Sequence, residues 1–395
     1  MKREKIAIIG IGEVPTGFFP ERSCKEIAMQ TSLEAIQDAG IDKNEIDTIL
    51  VTGALSDRMS FEIHMATGRM IEELGLGNRV KTNACIFSGG SSSANTLKIA
   101  EGLIRAGRAN VILCIHADKL GTCGTPEQVE NILRNAVFCP EWEIPYGING
   151  VVLCDWIMNR YIYETGTTLE QIAAVVESNR KWARLNPHAA FRDEISVEEV
   201  MKATILTSVS TSAHFQTYTD GGSAFIVTSA ERAKEAPKPV YVLGMGSRCI
   251  NSIITTCPDI TRFSYKEAAE EAYEEAGLTP KDMNFAQIFE WYAIMQLIVF
   301  EELGFAERGK AGEYFAAGKC APGGEMPVNT NGGILAQGHT GAGGGYALLI
   351  EAVRQLKGQA GERQIPNARY GLYTSSGGSF FDCHVTILGN DSAAL

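Results

Sequence analysis

The sequence holds ten cysteines in 395 residues, yet no two of them form a Cys-x-x-Cys pair. A zinc ribbon within the chain is thereby excluded, no regular disulfide framework can be read, and reduced thiols in a cytoplasmic setting are expected. Positive charge is in deficit, with 35 Lys and Arg against 47 Asp and Glu and a net charge of −12. Such a chain offers no broad face to nucleic acid, although a local basic pocket would suffice for a small polyanion. Long apolar runs are missing too: none approaches the roughly 20 residues of a membrane-spanning helix. The opening "KIAIIGIG" is short and reads as a buried strand rather than a targeting segment. Two glycine patterns fall short of nucleotide-binding loops. "QGHTGAGGG" is followed by no Lys-Ser or Lys-Thr, and "IGIGEVPTG" misses the third glycine of a dinucleotide fingerprint.

What is present is apolar content of 45% with 21% charged residues, the balance of a globular protein. The length exceeds what one core usually serves and points to two folding units or one large duplicated one. Strand-like runs ("KIAIIGIG", "TILVTG", "VILCIHA", "AFIVTS", "VYVLGMG") alternate with amphipathic helices, which predicts α/β layers around largely buried sheets. An internal repeat is visible at an offset of 237 residues between "EAIQDAGIDKNEIDTIL" and "EAYEEAGLTPKDMNFAQIF". Each copy leads to a glycine-rich stretch and another helix, as a duplicated fold would require; chance likeness of two amphipathic helices is the alternative. The expected halves are 1–245 and 246–395, with a segment at about 120–205, rich in Trp, Pro and Arg, inserted over one face of the core.

Several residues could carry chemistry. Cys85 lies in "NACIFSGGSSSAN", among small residues that neither bury nor cover a thiol, just before a helix from about Ser91 to Ala106. At the positive end of that helix a thiol would be acidified and exposed as a nucleophile; a small buried hydrophobe is the alternative. His339, one of only six histidines, sits between glycines at the matching turn of the second half. It reads either as a surface-turn residue, or as the base for Cys85 or a donor to an oxyanion. "TSSGG", with Ser375, Gly377 and Gly378, is either a plain turn or part of an oxyanion hole. "DGGSA" from Asp220 reads as packing beneath a catalytic turn. Arg180, Lys181, Arg184 and Arg192 read as a solvated helix face, or as a grip on cofactor phosphates.

Together, "NACIFSGG", "YETGTTLEQIAAVVESNRKWARLNP", "PGGEMPVNTNGGILAQGHTGAGGG" and "RQIPNARYGLYTSSGG" resemble the thiolase superfamily over nearly the whole chain. The likeness is to sterol-carrier-protein-type thiolases and related acetyl-CoA acetyltransferases. It implies two βαβαβαββ halves in five αβαβα layers with a loop domain over the site. It implies an acyltransferase that cleaves a 3-oxoacyl-CoA with free CoA, or condenses in reverse, through an acyl-cysteine on Cys85 activated by His339. Coenzyme A would be a substrate, contacted at Arg184, Ser247 and Gly341, and no metal is implied in this chain. A homodimer core is implied, with a small zinc-ribbon/OB-fold protein as further partner, and neither nucleic acid nor membrane.

Two positions depart from that family pattern. Ser375 stands where a second, proton-donating cysteine is usual, and Phe289 stands at the Asn/His that clamps a water, followed by Glu290 at the acidic place. Glu290 is therefore a candidate replacement acid. The aromatics Phe289, Trp291 and Tyr292 suggest an aromatic or dicarboxylic acyl group, as in the relatives that act on benzoylsuccinyl-CoA. A ketoacyl-synthase-like condensing enzyme and a non-catalytic acyl-CoA or lipid binder are the competing expectations.

Overall fold

The computed structural model describes residues 5–56, 65–250, 253–378, 380 and 382–390. Among these residues nine strands form one mixed sheet: β1 Ile6–Glu13, β2 Thr48–Thr52, β3 Thr82–Cys85, β4 Val111–Lys119, β5 Asp220–Ser229, β6 Val240–Cys249, β7 Phe285–Gln287, β8 Tyr370–Gly377 and β9 Asp382–Gly389. Their order is β3-β2-β4-β5-β1-β6-β9-β8-β7. In the first half β2 runs parallel to β3 and β4, and β5 is antiparallel to β4 and β1. The second half mirrors this: β7 is parallel to β8, and β9 is antiparallel to β8 and β6. Even the edge has its counterpart, since Val328 bridges Ala286 in parallel where β3 flanks β2. The halves meet through two antiparallel pairs, Ala7↔Tyr241 and Ile8↔Val240. The opening strand of the second half thus runs across position 245.

The 237-residue repeat holds from the helix stop onward. Helix Cys24–Ala39 stops at left-handed Gly40 (φ 68), and helix Tyr265–Ala276 stops at Gly277 (φ 67). Short 3-10 turns follow at Lys43–Glu45 and Pro280–Asp282. The glycines of "IGIG" have a packing role here. A Cβ on Gly10 or Gly12 would come within 2.2 Å of a backbone oxygen of helix Cys24–Ala39, and Gly244 and Gly246 meet Tyr265–Ala276 in the same way. A helix laid this close on a strand requires glycine beneath it.

Those two helices form the outer layers. Ser92–Arg105 and Gly344–Leu356 lie between the halves, the latter touching β7, β8 and β9 on one side and β1 and β5 on the other. Apolar residues of Gly344–Leu356, from Tyr346 to Val353, are accordingly buried all round. The segment at 120–205 is helical, with Pro126–Val137, Gly150–Thr165 and Leu169–Arg184 as its main elements. No helix among the described residues is long and apolar enough to cross a membrane.

Candidate active site

A cavity of about 260 Å³ opens where the two halves and the inserted helices meet. Its floor is the turn Phe87–Gly90 that precedes helix Ser92–Arg105, together with Gly341, Ala342 and Gly378. Tyr218, Trp291, Tyr292 and His339 form a wall. Helix Pro126–Val137 is the roof, turning Glu130, Leu133, Arg134 and Val137 towards the space. The i, i+3, i+4, i+7 spacing places those four on one stripe of that helix.

His339 is 5% exposed. Its Nδ1 accepts a hydrogen bond from the Gly341 backbone N–H at 3.1 Å. Burial, reinforced by the neighbouring His116, pulls its pKa down to about 3, so the ring is neutral at physiological pH. A neutral imidazole whose Nδ1 accepts must carry its proton on Nε2. His339 is therefore built as a hydrogen-bond donor rather than as a base at Nε2. Tyr218 stands edge-on to it with ring centroids 5.3 Å apart, and the two backbones bridge. Gly221 of the "DGGSA" stretch lies under this turn: a Cβ there would sit 2.8 Å from Thr340 Cγ2.

The tyrosines form a second feature. The Tyr218 hydroxyl accepts from Gln216 Nε2 at 3.0 Å, which leaves its own proton free to be donated. Burial pushes both the Tyr218 and Tyr292 phenols up, and the Glu130 carboxylate adds to both shifts. Each phenol also senses its neighbours, Tyr292 registering Tyr218 most strongly after burial. Protonated phenols beside a carboxylate are a proton store in an apolar chamber.

Cys85 does not join this group. It ends β3 with its thiol exposed, and Ile86 N–H still extends the ladder to Val51 O at 2.8 Å. The stretch that follows β3 reaches the cavity at Phe87–Gly90, and Cys85 is absent from the lining. Burial pushes its thiol up, only partly offset by a hydrogen bond from Gly53. The expected acidification fails because the helix begins at Ser92, too far on, and a helix end acts only within its first turn.

The remaining expected site residues divide. Gly341 (φ 63) and Gly378 (φ 54) line the cavity. Gly377 lies just behind, donating to Asp382 Oδ1 and packed on Ser88. Ser375 is buried in β8, its carbonyl accepting from the Tyr265 hydroxyl, and does not line the cavity. Glu290 is buried outside the lining, its Oε1 accepting from Asn179 Nδ2 (3.2 Å) and Leu335 N–H (3.3 Å). Burial lifts its carboxyl far above the usual range. It braces the 333–335 backbone that leads to His339. Phe289 fills the place beside Gly90, where a Cβ would come 2.3 Å from its Cζ. Arg184 is exposed and paired with Glu194, and Ser247 accepts from Lys98 Nζ at 2.5 Å; neither lines the cavity. Among the described residues no group of three or more His, Cys, Asp or Glu gathers as a metal site.

Sequence reasoning misses Tyr218 and Glu130. Tyr218 sits next to "DGGSA", which reads as packing only, and Glu130 is visible solely as the end of the roof helix's i, i+3, i+4, i+7 stripe.

Against known proteins, residues 246–390 match the family model "Thiolase C-terminal domain-like". The chain is 29% identical over 380 residues to the acetyl-CoA acetyltransferase of Methanothermobacter thermautotrophicus, covering 95% of this chain and 96% of that one. It is equally 29% identical over 375 residues to the steroid side-chain-cleaving aldolase of Thermomonospora curvata, covering 89% and 90%. Among solved structures, the Ltp2-ChsH2(DUF35) aldolase superposes with a TM-score of 0.85 at 26% identity, over 99% of both chains.

Proposed function

Because the chain belongs to the thiolase superfamily, we propose that it makes or breaks a carbon–carbon bond beside a CoA thioester, by an aldol route that uses no protein thiol. The observation carrying this reading is the composition of the cavity: His339, Tyr218, Tyr292 and Glu130 line it, and none of its described lining residues is a cysteine. In the cleaving direction the substrate is a 3-hydroxyacyl-CoA. The hydroxyl proton passes through the tyrosines to Glu130, the C2–C3 bond breaks, and C3 becomes a carbonyl. The bonding pair moves onto C2 and the thioester oxygen as an enolate. That enolate takes the proton back at C2, leaving a shorter acyl-CoA and an aldehyde or ketone. The apolar wall of Leu133, Val137, Phe138 and Trp291 suits a bulky or aromatic acyl group.

A second reading, acyl transfer through Cys85 as in a thiolase, is favoured by that residue's free, exposed thiol and by the acetyltransferase relative. Incubation with 3-hydroxyacyl-CoAs and 3-oxoacyl-CoAs, each with and without free CoA, separates the two. Thiolysis consumes CoA in step with product; aldol cleavage does not.

The assembly we propose is a homodimer joined along β3, an edge strand with Asn83 and Cys85 exposed. A small zinc-ribbon/OB-fold protein is the proposed further subunit, supported by the DUF35 component of the Ltp2-ChsH2(DUF35) aldolase. Ten scattered cysteines with no regular disulfide framework support a reducing, cytoplasmic setting.

A further inference from the structure

Among the described residues, two buried N–H groups in the cavity wall have no acceptor. Trp291 is 8% exposed, its side chain lines the cavity, and no atom of the described residues accepts from its Nε1. His339 Nε2, the protonated nitrogen by the tautomer argument above, is buried without a partner as well. The two rings stand 6.3 Å apart at 82°. An indole N–H is a donor only, so nothing but an incoming acceptor relieves it. Leaving two such donors unsatisfied is costly in a folded protein, and costs of that kind gather where a ligand supplies the missing atom.

A third observation fixes the character of that acceptor. Helix Gly344–Leu356 begins against the same imidazole: a Cβ on Gly344 would lie 3.2 Å from His339 Nε2. Glycine at this place keeps a side chain from pressing on the nitrogen, and the positive end of a 13-residue helix favours negative charge there. Phe289, meanwhile, brings no polar group to the position beside Gly90.

We propose that the Trp291 indole N–H and the His339 Nε2–H form a two-donor receptor for the substrate's thioester oxygen, holding it as it becomes an enolate. The assignment rests on the aldol reading for the identity of the oxygen, since that oxygen gains charge when the C2–C3 pair is released. It makes Trp291 a catalytic residue in contact with the reacting atoms, doing by direct donation what a clamped water would do elsewhere.

The test replaces Trp291 by β-(3-benzothienyl)alanine, which keeps the bicyclic shape and loses the N–H; Trp291→Phe is the genetically simpler companion. Loss of one such donor should lower kcat about 10²–10³-fold with KM nearly unmoved. An independent readout needs no turnover: with ¹⁵N-labelled tryptophan, saturating acetoacetyl-CoA should move the Trp291 indole signal, assigned by its loss in Trp291→Phe, strongly downfield among the four indoles. A shifted indole in a protein that cleaves no 3-hydroxyacyl-CoA would uphold the receptor and sink the aldol reading. Cleavage with an unmoved indole signal and an unchanged kcat in the benzothienyl variant would sink the receptor alone.

Discussion

At the scale of single residues, protonation states assign the work. His339 is neutral with its pKa near 3 because it is buried and faces His116. Its titration therefore lies outside the range of a pH–rate profile taken between pH 5 and 8. The profile of kcat/KM should carry no imidazole inflection near 6.5, whereas a histidine acting as base would produce one. In the proposed route Tyr292 carries the proton, its phenol kept protonated by burial. Tyr292→Phe removes the hydroxyl and little else, and should lower kcat roughly 10²–10⁴-fold without loss of thermal stability. Glu290 belongs to support rather than chemistry. Its folded-state pKa is raised, so the native state holds a proton the unfolded chain has lost above about pH 4.5. Stability is thus lost as pH rises from there. Glu290→Gln keeps an acceptor for Leu335 N–H and has no proton to lose. Its stability relative to the parent, measured by urea unfolding, should increase with pH at up to about 1.4 kcal/mol per unit, with turnover retained. A variant with flat relative stability, or one that has lost turnover, would return Glu290 to the mechanism.

At the scale of elements, the roof helix Pro126–Val137 is the loosest part of the site. Val129 is its one buried residue, and a capping box of Thr125 and Gln128 holds its start. Thr125→Ala should weaken that start by about 1 kcal/mol. The expected signature is faster amide exchange confined to 126–137 and a raised KM, with kcat little changed; an unaltered KM would mean that the roof does not touch substrate. The turn before Ser92 shows a different limit. "NACIFSGG" is legible as a strand-to-helix turn, because glycines and serines announce one. Which residue faces the cavity is not legible, since that depends on where β3 ends. The ladder bond from Ile86 to Val51 carries the strand past Cys85, and a two-residue displacement along a strand moves a side chain by roughly 6 Å or more.

At the scale of the whole molecule, the duplication is readable because it is local and periodic: helix, left-handed glycine, 3-10 turn and strand recur at a constant offset. Gly10, Gly12, Gly244 and Gly246 are in the sequence for the same reason in each half. What could not be read is the meeting of segments far apart in the chain. Tyr218, Trp291 and His339 come together because the 215–219 segment pairs directly with turns of the second half, Tyr218 bridging His339 and Gln216 N–H donating to Trp291 O. No spacing rule connects position 130 to position 292.

The proposed aldol route carries out its carbon–carbon chemistry without Cys85. The parent protein and Cys85→Ser are given a panel of 3-hydroxyacyl-CoAs with no free CoA, and carbonyl product, shortened acyl-CoA and protein mass are followed together. Equal amounts of carbonyl compound and shortened acyl-CoA are expected, at similar rates from both proteins, with no acyl adduct on the chain. Product that forms only from 3-oxoacyl-CoAs with free CoA, an acyl mass on Cys85, and a loss of roughly 10⁴-fold or more in Cys85→Ser would contradict it.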